Sequence, residues 1–154
     1  MNTLFELRSD AEMRRDAVAD NELRIHEALI GRGPWELSES QRKLLECLRG
    51  RQGRLQARTI EDLMVTLGGN PRSIKADVRE LVMGFRLPIV ASRDSETGGY
   101  FFAVSADERV RYSADYVKEA VALLSRAAII RNDADMSALL GQVSIELRAG
   151  KESA

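Results

Sequence analysis

Cysteine and histidine each occur once in this 154-residue chain, as Cys47 and His26. A single thiol excludes an intramolecular disulfide, and one thiol with one imidazole cannot assemble a usual zinc site or a Cys-His nucleophilic pair. His26 is read as a surface or packing residue, and Cys47, set among Leu44, Leu45 and Leu48, as an inert core thiol. Nor is there a long apolar run. The opening stretch Met1–Arg15 lacks one long enough for a signal peptide or a membrane span, so a cytoplasmic protein with no membrane association is expected. Gly31-Arg-Gly33 and Gly68-Gly69 lack the lysine and strand context of a phosphate loop. With no catalytic cluster, no metal-ligand set and no cofactor motif, the chain is expected not to be an enzyme.

A strong charge of either sign is also missing. The formal net charge is −1, so nothing draws the whole molecule to nucleic acid, and any such attraction has to come from where the charges lie. Residues 1–34 carry a net −2, residues 35–104 a net +2 and residues 105–154 a net −1. Within the middle segment, Arg42 to Arg79 holds nine basic residues against four acidic ones. The positive charge is therefore concentrated in one stretch, which can be a DNA-facing surface or an ordinary solvated one.

What is present is a chain 44% hydrophobic and 31% charged, enough to bury one sizeable core. Three parts are expected: an N-terminal helical arm over 1–34, a central domain over 35–104, and C-terminal helices over 105–154 as a dimerisation element. In the first part Val18, Leu23, Ile25, Leu29 and Ile30 give a weak apolar face before Gly31-Arg32-Gly33-Pro34, the best linker in the chain. Trp35 beyond it is read as a lid on the core rather than a base-stacking surface. Ser38-Glu-Ser-Gln41 has the form of a capping box and opens a helix carrying Leu44, Leu45 and Leu48 that ends near Gly50.

Thr59 is an N-cap candidate for a short amphipathic helix with Ile60, Leu63, Met64 and Leu67. Gly68-Gly69-Asn70-Pro71 then ends that helix and starts another. The glycines allow a tight turn, the asparagine caps, and proline at the first helical position forfeits no hydrogen bond. The new helix, Pro71 to about Phe85, has Ile74, Val78, Leu81, Val82 and Phe85 as its apolar stripe. Two amphipathic helices joined by a three-residue turn match a helix-turn-helix. The runs Leu87–Ser92 and Gly99–Val104 read as a β-hairpin. Ser105-Ala-Asp-Glu108 is a second capping box, opening a long helix in which Val110, Ala114, Val117, Val121, Leu124 and Ala128 recur at 4-3-4-3-4 spacing. A last helix carries Met136, Leu139, Leu140, Val143 and Leu147.

The expected fold class is mainly α with a small β-hairpin wing, a winged helix-turn-helix with flanking N- and C-terminal helices. In that arrangement the second helix of the turn enters the major groove. At 100° per residue, Lys75, Ala76, Arg79 and Met83 fall within about 60° of Arg72, with the apolar stripe roughly opposite. The candidate DNA-binding residues are Arg72, Ser73, Lys75, Ala76 and Arg79, with Asn70 at the helix start, Arg58 in the basic stretch and Arg93 on the wing. Arginine and lysine donate to guanine O6 and N7 or to phosphates, small Ser73 and Ala76 permit close approach, and the free amides at the helix start favour a phosphate.

Residues 38–131 resemble the winged-helix domains of bacteriophage and prophage replication or regulatory proteins. The resemblance rests on Thr59-Ile60-Glu61-Asp62-Leu63, on Asn70-Pro71-Arg72-Ser73-Ile74-Lys75 followed by Val78-Arg79-Glu80-Leu81, on Leu87-Pro88-Ile89-Val90 and Gly98-Gly99-Tyr100-Phe101-Phe102, and on the acidic start Asp107-Glu108. It implies a recognition helix, a short Pro-Ile strand, a Gly-Tyr-aromatic returning strand and a helix after it. The wing departs from a basic pattern: Asp94 and Glu96 are acidic and Arg93 alone is basic. Double-stranded DNA is the expected partner, in transcriptional regulation or origin binding. A homodimer through the C-terminal helices is expected because two half-sites remedy the weak specificity of one short helix. The alternative is a winged-helix adaptor that binds a protein and no DNA.

Overall fold

The computed structural model describes residues 9–94 and 98–152, with 147–152 as backbone only. Along these residues the chain forms α1 (Asp10–Leu29), α2 (Glu39–Arg49), a 3-10 turn (Arg54–Gln56), α3 (Ile60–Leu67), α4 (Pro71–Phe85), β1 (Ile89–Ser92), β2 (Gly99–Phe102), α5 (Ala106–Arg131) and α6 (Ala134–Glu152). The fold is thus mainly helical with a small two-stranded antiparallel sheet. Two compact units divide within α5, one running to Tyr112 and the other starting at Ser113. From the sequence the boundary is expected at 104/105, where the hairpin run ends and the Ser105 capping box begins. It falls later because Tyr112, on the first turns of α5, packs edge-on against the fully buried Phe101, with ring centroids 5.3 Å apart.

In the first unit the helix starts are set by local side chains. Ser38 accepts from the Gln41 amide while Gln41 accepts from the Ser38 amide, and Thr59 accepts from the Asp62 amide. Gln41 also donates to Glu80, tying the start of α2 to α4. Gly68 and Gly69 take φ of 64° and 121°, a region open to glycine at little cost, and between them they turn the chain from α3 into α4. Leu44, Leu45 and Leu48 of α2, Leu63 of α3, and Ile74, Val78 and Leu81 of α4 meet in one core, closed by Leu87, Ile89 and Phe102 of the hairpin. Burial of such aliphatic side chains contributes about 1.5–3 kcal/mol each relative to exposure.

The N-terminal helix is not an appended arm. Ile25 and Ala28 are buried in the same core, and the inward face is Asn21, Ile25 and Ala28, whereas Leu23 and Ile30 of the expected apolar face are exposed. Asn21 takes an inward position in which its Nδ2 donates to Gln52 Oε1 at 3.0 Å and to the Ala103 carbonyl at 3.1 Å, offsetting the desolvation of the NH2 group, while its buried Oδ1 accepts no hydrogen bond. α1 is also a single helix, opened by a reciprocal Ser9–Glu12 cap.

In the hairpin Ile89 pairs with Phe102 and Ser92 with Gly99. A third segment touches its outer edge: Arg58 and Tyr100 exchange both backbone hydrogen bonds, at 2.9 and 2.7 Å. Gly99 makes that approach possible. Its φ is +132°, and a Cβ there would lie 2.1 Å from the Arg58 carbonyl oxygen.

The start of α5 departs from the expected box. Ser105 Oγ accepts from the Glu108 amide, but the Glu108 carboxylate turns away from Ser105 and accepts from the amides of Val104 (2.8 Å) and Arg54 (3.1 Å). Two other donors, the Arg54 amide from far along the chain and the Val104 amide just before the cap, compete better for it than the cap residue's own N–H.

In the second unit, α5 ends in a turn with Asn132 in the left-handed region (φ 54°), and Asp133 caps α6 by accepting from the Met136 amide at 2.9 Å. Ala128 and Leu140 are buried; Val121, Ser125, Met136, Val143 and Ser144 are half-buried. The expected seam is thus divided: Ala114, Val121 and Ala128 lie partly or wholly covered within the chain, and Val110, Val117 and Leu124 are exposed. The Leu147 side chain lies outside the described residues. Among the described residues no helix is long and apolar enough to cross a membrane.

Candidate nucleic-acid interface

The candidate site is the outer face of α4. Asn70 caps this helix through Oδ1, which accepts from the Ser73 amide at 3.0 Å, and Ser73 Oγ returns a contact to the Asn70 amide at 3.3 Å while donating to the Asn70 carbonyl at 2.9 Å. Proline at the first position of the helix keeps φ preset. From that fixed start, the 3.6-residue repeat turns Ile74, Val78 and Leu81 inward, and all three are buried. Arg72, Lys75, Ala76, Arg79 and Met83 lie on the other side, as the sequence periodicity predicts, and the three cations and Met83 are exposed there.

The positive stretch now resolves into two groups. Most of its cations are engaged: Arg42 donates to the Leu29 carbonyl at 2.9 Å, Lys43 pairs with Glu39 at 2.7 Å, Arg49 with Glu22 at 2.8 Å, Arg54 with Asp94, and Arg58 donates to Thr66 Oγ1 at 3.0 Å. The hydrogen bond to Lys43, with its charge, holds the Glu39 carboxyl below its ordinary range, and Glu39 holds the Lys43 ammonium above its own. Arg72, Lys75 and Arg79 make no side-chain hydrogen bond or ion pair to any described residue. Three exposed cations are thereby gathered on one helix face; Arg51, half-buried, is a fourth without a side-chain partner among the described residues, and Arg42 and Arg58 are held by neutral oxygens.

Three of the predicted site residues have other duties. Ser73 and Asn70 spend their side-chain oxygens on each other's backbone, so their part in a site is to fix the helix start rather than to reach a ligand. Arg58, half-buried, is held by Thr66 of α3 and by its strand-like pairing with Tyr100. Arg93 is exposed just after β1. Ala76, between Lys75 and Arg79, carries only a methyl group and leaves space for a close approach.

Sequence reasoning missed the Arg54–Asp94 pair, which offsets the charge of one of the two wing acids that weakened the case for the hairpin as a phosphate neighbour. The only signal available was two opposite charges 40 residues apart, which no local rule connects. Glu96 lies outside the described residues. Met83, placed on this face by periodicity, is 75% exposed there, a large apolar side chain among the cations. Among the described residues no group of three or more His, Cys, Asp or Glu side chains could hold a metal ion.

No protein-family model matches this sequence, and no curated protein or solved structure matches it.

Proposed function

We propose that this protein binds double-stranded DNA, with α4 as the recognition helix of a winged helix-turn-helix and the β1–β2 hairpin as its wing. The observation that carries the reading is the segregation of charge on α4: three cations without partners among the described residues, all on the face opposite the buried stripe. An exposed basic helix of 15 residues, about 22 Å long at 1.5 Å per residue, is of a size to lie in the major groove. Its N-terminus presents the positive dipole end and the amide of Arg72, which suit a backbone phosphate, the other first-turn amides being taken by the cap. Order along the chain supports the same reading, since a helix, a short bridging segment, two helices across a tight turn and a hairpin follow one another. Arg72, Lys75 and Arg79 would supply base-edge or phosphate contacts, and the Ala76 methyl a thymine-methyl contact. Transcriptional control or origin binding, in a phage or prophage setting, is the role that the resemblance favours.

A second reading, docking of a protein rather than DNA, draws on Met83, a large apolar side chain on the same face. One experiment separates them. Fluorescence anisotropy of labelled duplex DNA across a salt series should show binding that weakens steeply with salt, and replacing Arg72, Lys75 and Arg79 together by Ala should abolish it. Binding by the triple variant equal to the parent's removes α4 as the DNA contact. Absence of any retention by the parent at low salt leaves the protein-docking reading.

A further inference from the structure

The long helix α5 carries two apolar stripes, and only one of them is covered. Ala114, Val121 and Ala128 lie on the covered stripe. Roughly 140° away around the helix, on the same 100° arithmetic, Tyr116, Ala120, Leu123, Ala127 and Ile130 recur at 4-3-4-3 spacing, which keeps them on one face for about four turns. All five are exposed, Tyr116 at 62%, Leu123 at 53% and Ile130 at 84%. A continuous exposed apolar strip of this kind is what monomeric surfaces avoid.

We infer that this stripe is the docking surface for a second copy of the same chain, with the two α5 helices antiparallel about a two-fold axis near Leu123. Charge placement identifies the occupant. Glu119 and Arg126 border the stripe on one side, one heptad apart, and neither has a partner among the described residues. A two-fold axis midway between them sets Glu119 against Arg126 of the second copy, and by symmetry does so twice. In a parallel, in-register copy the flank with Glu119 and Arg126 would instead face the opposite flank of the second helix, which carries Val117 and Leu124, and no such charge pairs would form. The apolar positions close about the same point: Tyr116 meets Ile130, Leu123 meets its own symmetry mate, and the small Ala120 and Ala127 between them let the helix axes approach to the lower end of the usual range of about 8–10 Å. The surface lies outside α4, so the inference does not depend on DNA binding.

Five side chains per copy over about 21 Å of helix make a small interface, so association should depend on concentration in the micromolar range. Sedimentation velocity of the full chain from about one to about a hundred micromolar should show a monomer–dimer equilibrium. Leu123→Glu, which brings two carboxylates together at the axis, should leave a monomer with unchanged far-ultraviolet circular dichroism. Glu119→Arg and Arg126→Glu, both on exposed positions, should each weaken self-association several-fold, and mixing the two variants should restore it as a heterodimer in which both cross-pairs are of opposite sign. A parent that stays monomeric throughout, a dimer indifferent to Leu123→Glu, or a mixture with no preference for the heterodimer overturns the proposal.

Discussion

The indole of Trp35 rests on the backbone of Gly84: a Cβ built at Gly84 would stand 1.9 Å from Trp35 Cη2. The same ring meets Phe85 edge-on, with centroids 5.1 Å apart, and Phe85 in turn covers Gly33, where a Cβ would fall 2.2 Å from its Cε1. Two glycines and two aromatic rings thus fasten the segment before α2 to the end of α4. Glycine inside a helix ordinarily costs about 0.5–1 kcal/mol relative to alanine, so its presence at 84 needs a steric reason, and the ring supplies one.

Gly84→Ala should therefore lower stability by about 1–3 kcal/mol in spite of its better helix propensity, read as a fall in thermal midpoint. In a Trp35→Ala background the space is vacated, and adding Gly84→Ala should then be neutral or stabilising. A double-mutant cycle with no such coupling contradicts this packing.

Arg86 ends α4 in the left-handed region, φ 54° and ψ 34°, where a side chain costs about 1–2 kcal/mol and glycine little. The conformation is imposed by the helix end, with the Arg86 amide bonding back to the Leu81 carbonyl. Arg86→Gly should stabilise the protein by about 0.5–1 kcal/mol after the added freedom of the unfolded chain is counted. Urea denaturation measures it, as a higher midpoint at unchanged slope.

Local chemistry explains why parts of this fold are legible in the amino-acid sequence alone. The bounds of α3 and α4 follow from Thr59, Gly68, Gly69, Asn70 and Pro71, all of which act on backbone within a few residues of themselves. The exposed cations of α4 follow from helical periodicity alone. The role of α1 is not legible in the same way, because its inward face is led by a polar residue, Asn21, whose partners Gln52 and Ala103 are distant in sequence. The Glu108 clamp and the Arg54–Asp94 pair are nonlocal too. The outer stripe of α5 is faint in the sequence because two of its five positions are alanine, which barely moves a hydrophobic pattern.

The Glu108 carboxylate accepts from backbone amides at Arg54 and Val104 and so joins the 3-10 turn, the end of the hairpin and the start of α5. Glu108→Ala should cost about 1–3 kcal/mol by leaving two donors without their acceptor. Glu108→Gln keeps one acceptor and faces the other donor with an NH2 group, so its loss should fall between. Equal stability of all three proteins in urea would show that water replaces the carboxylate without cost.

The last expectation separates the two faces of α4. Arg72, Lys75 and Arg79 lie exposed on the side opposite the core, so replacing any one by Ala should shift stability by no more than about 0.5 kcal/mol. Leu81, fully buried, should cost about 2–5 kcal/mol as Leu81→Ala, because the cavity left in the core cannot close completely. DNA affinity should respond in the opposite order at a temperature where every variant is folded. A cation that contacts a phosphate should, when removed, lower the salt slope by about one and weaken all sequences alike, whereas one that reads a base edge should cost about 1–3 kcal/mol at a single position of the site. Anisotropy titrations at several salt concentrations, with thermal melts of the same samples, give both quantities for each variant. If Leu81→Ala and the cation variants lose affinity only in proportion to the fraction unfolded, the outer face of α4 is solvated surface and the DNA reading falls.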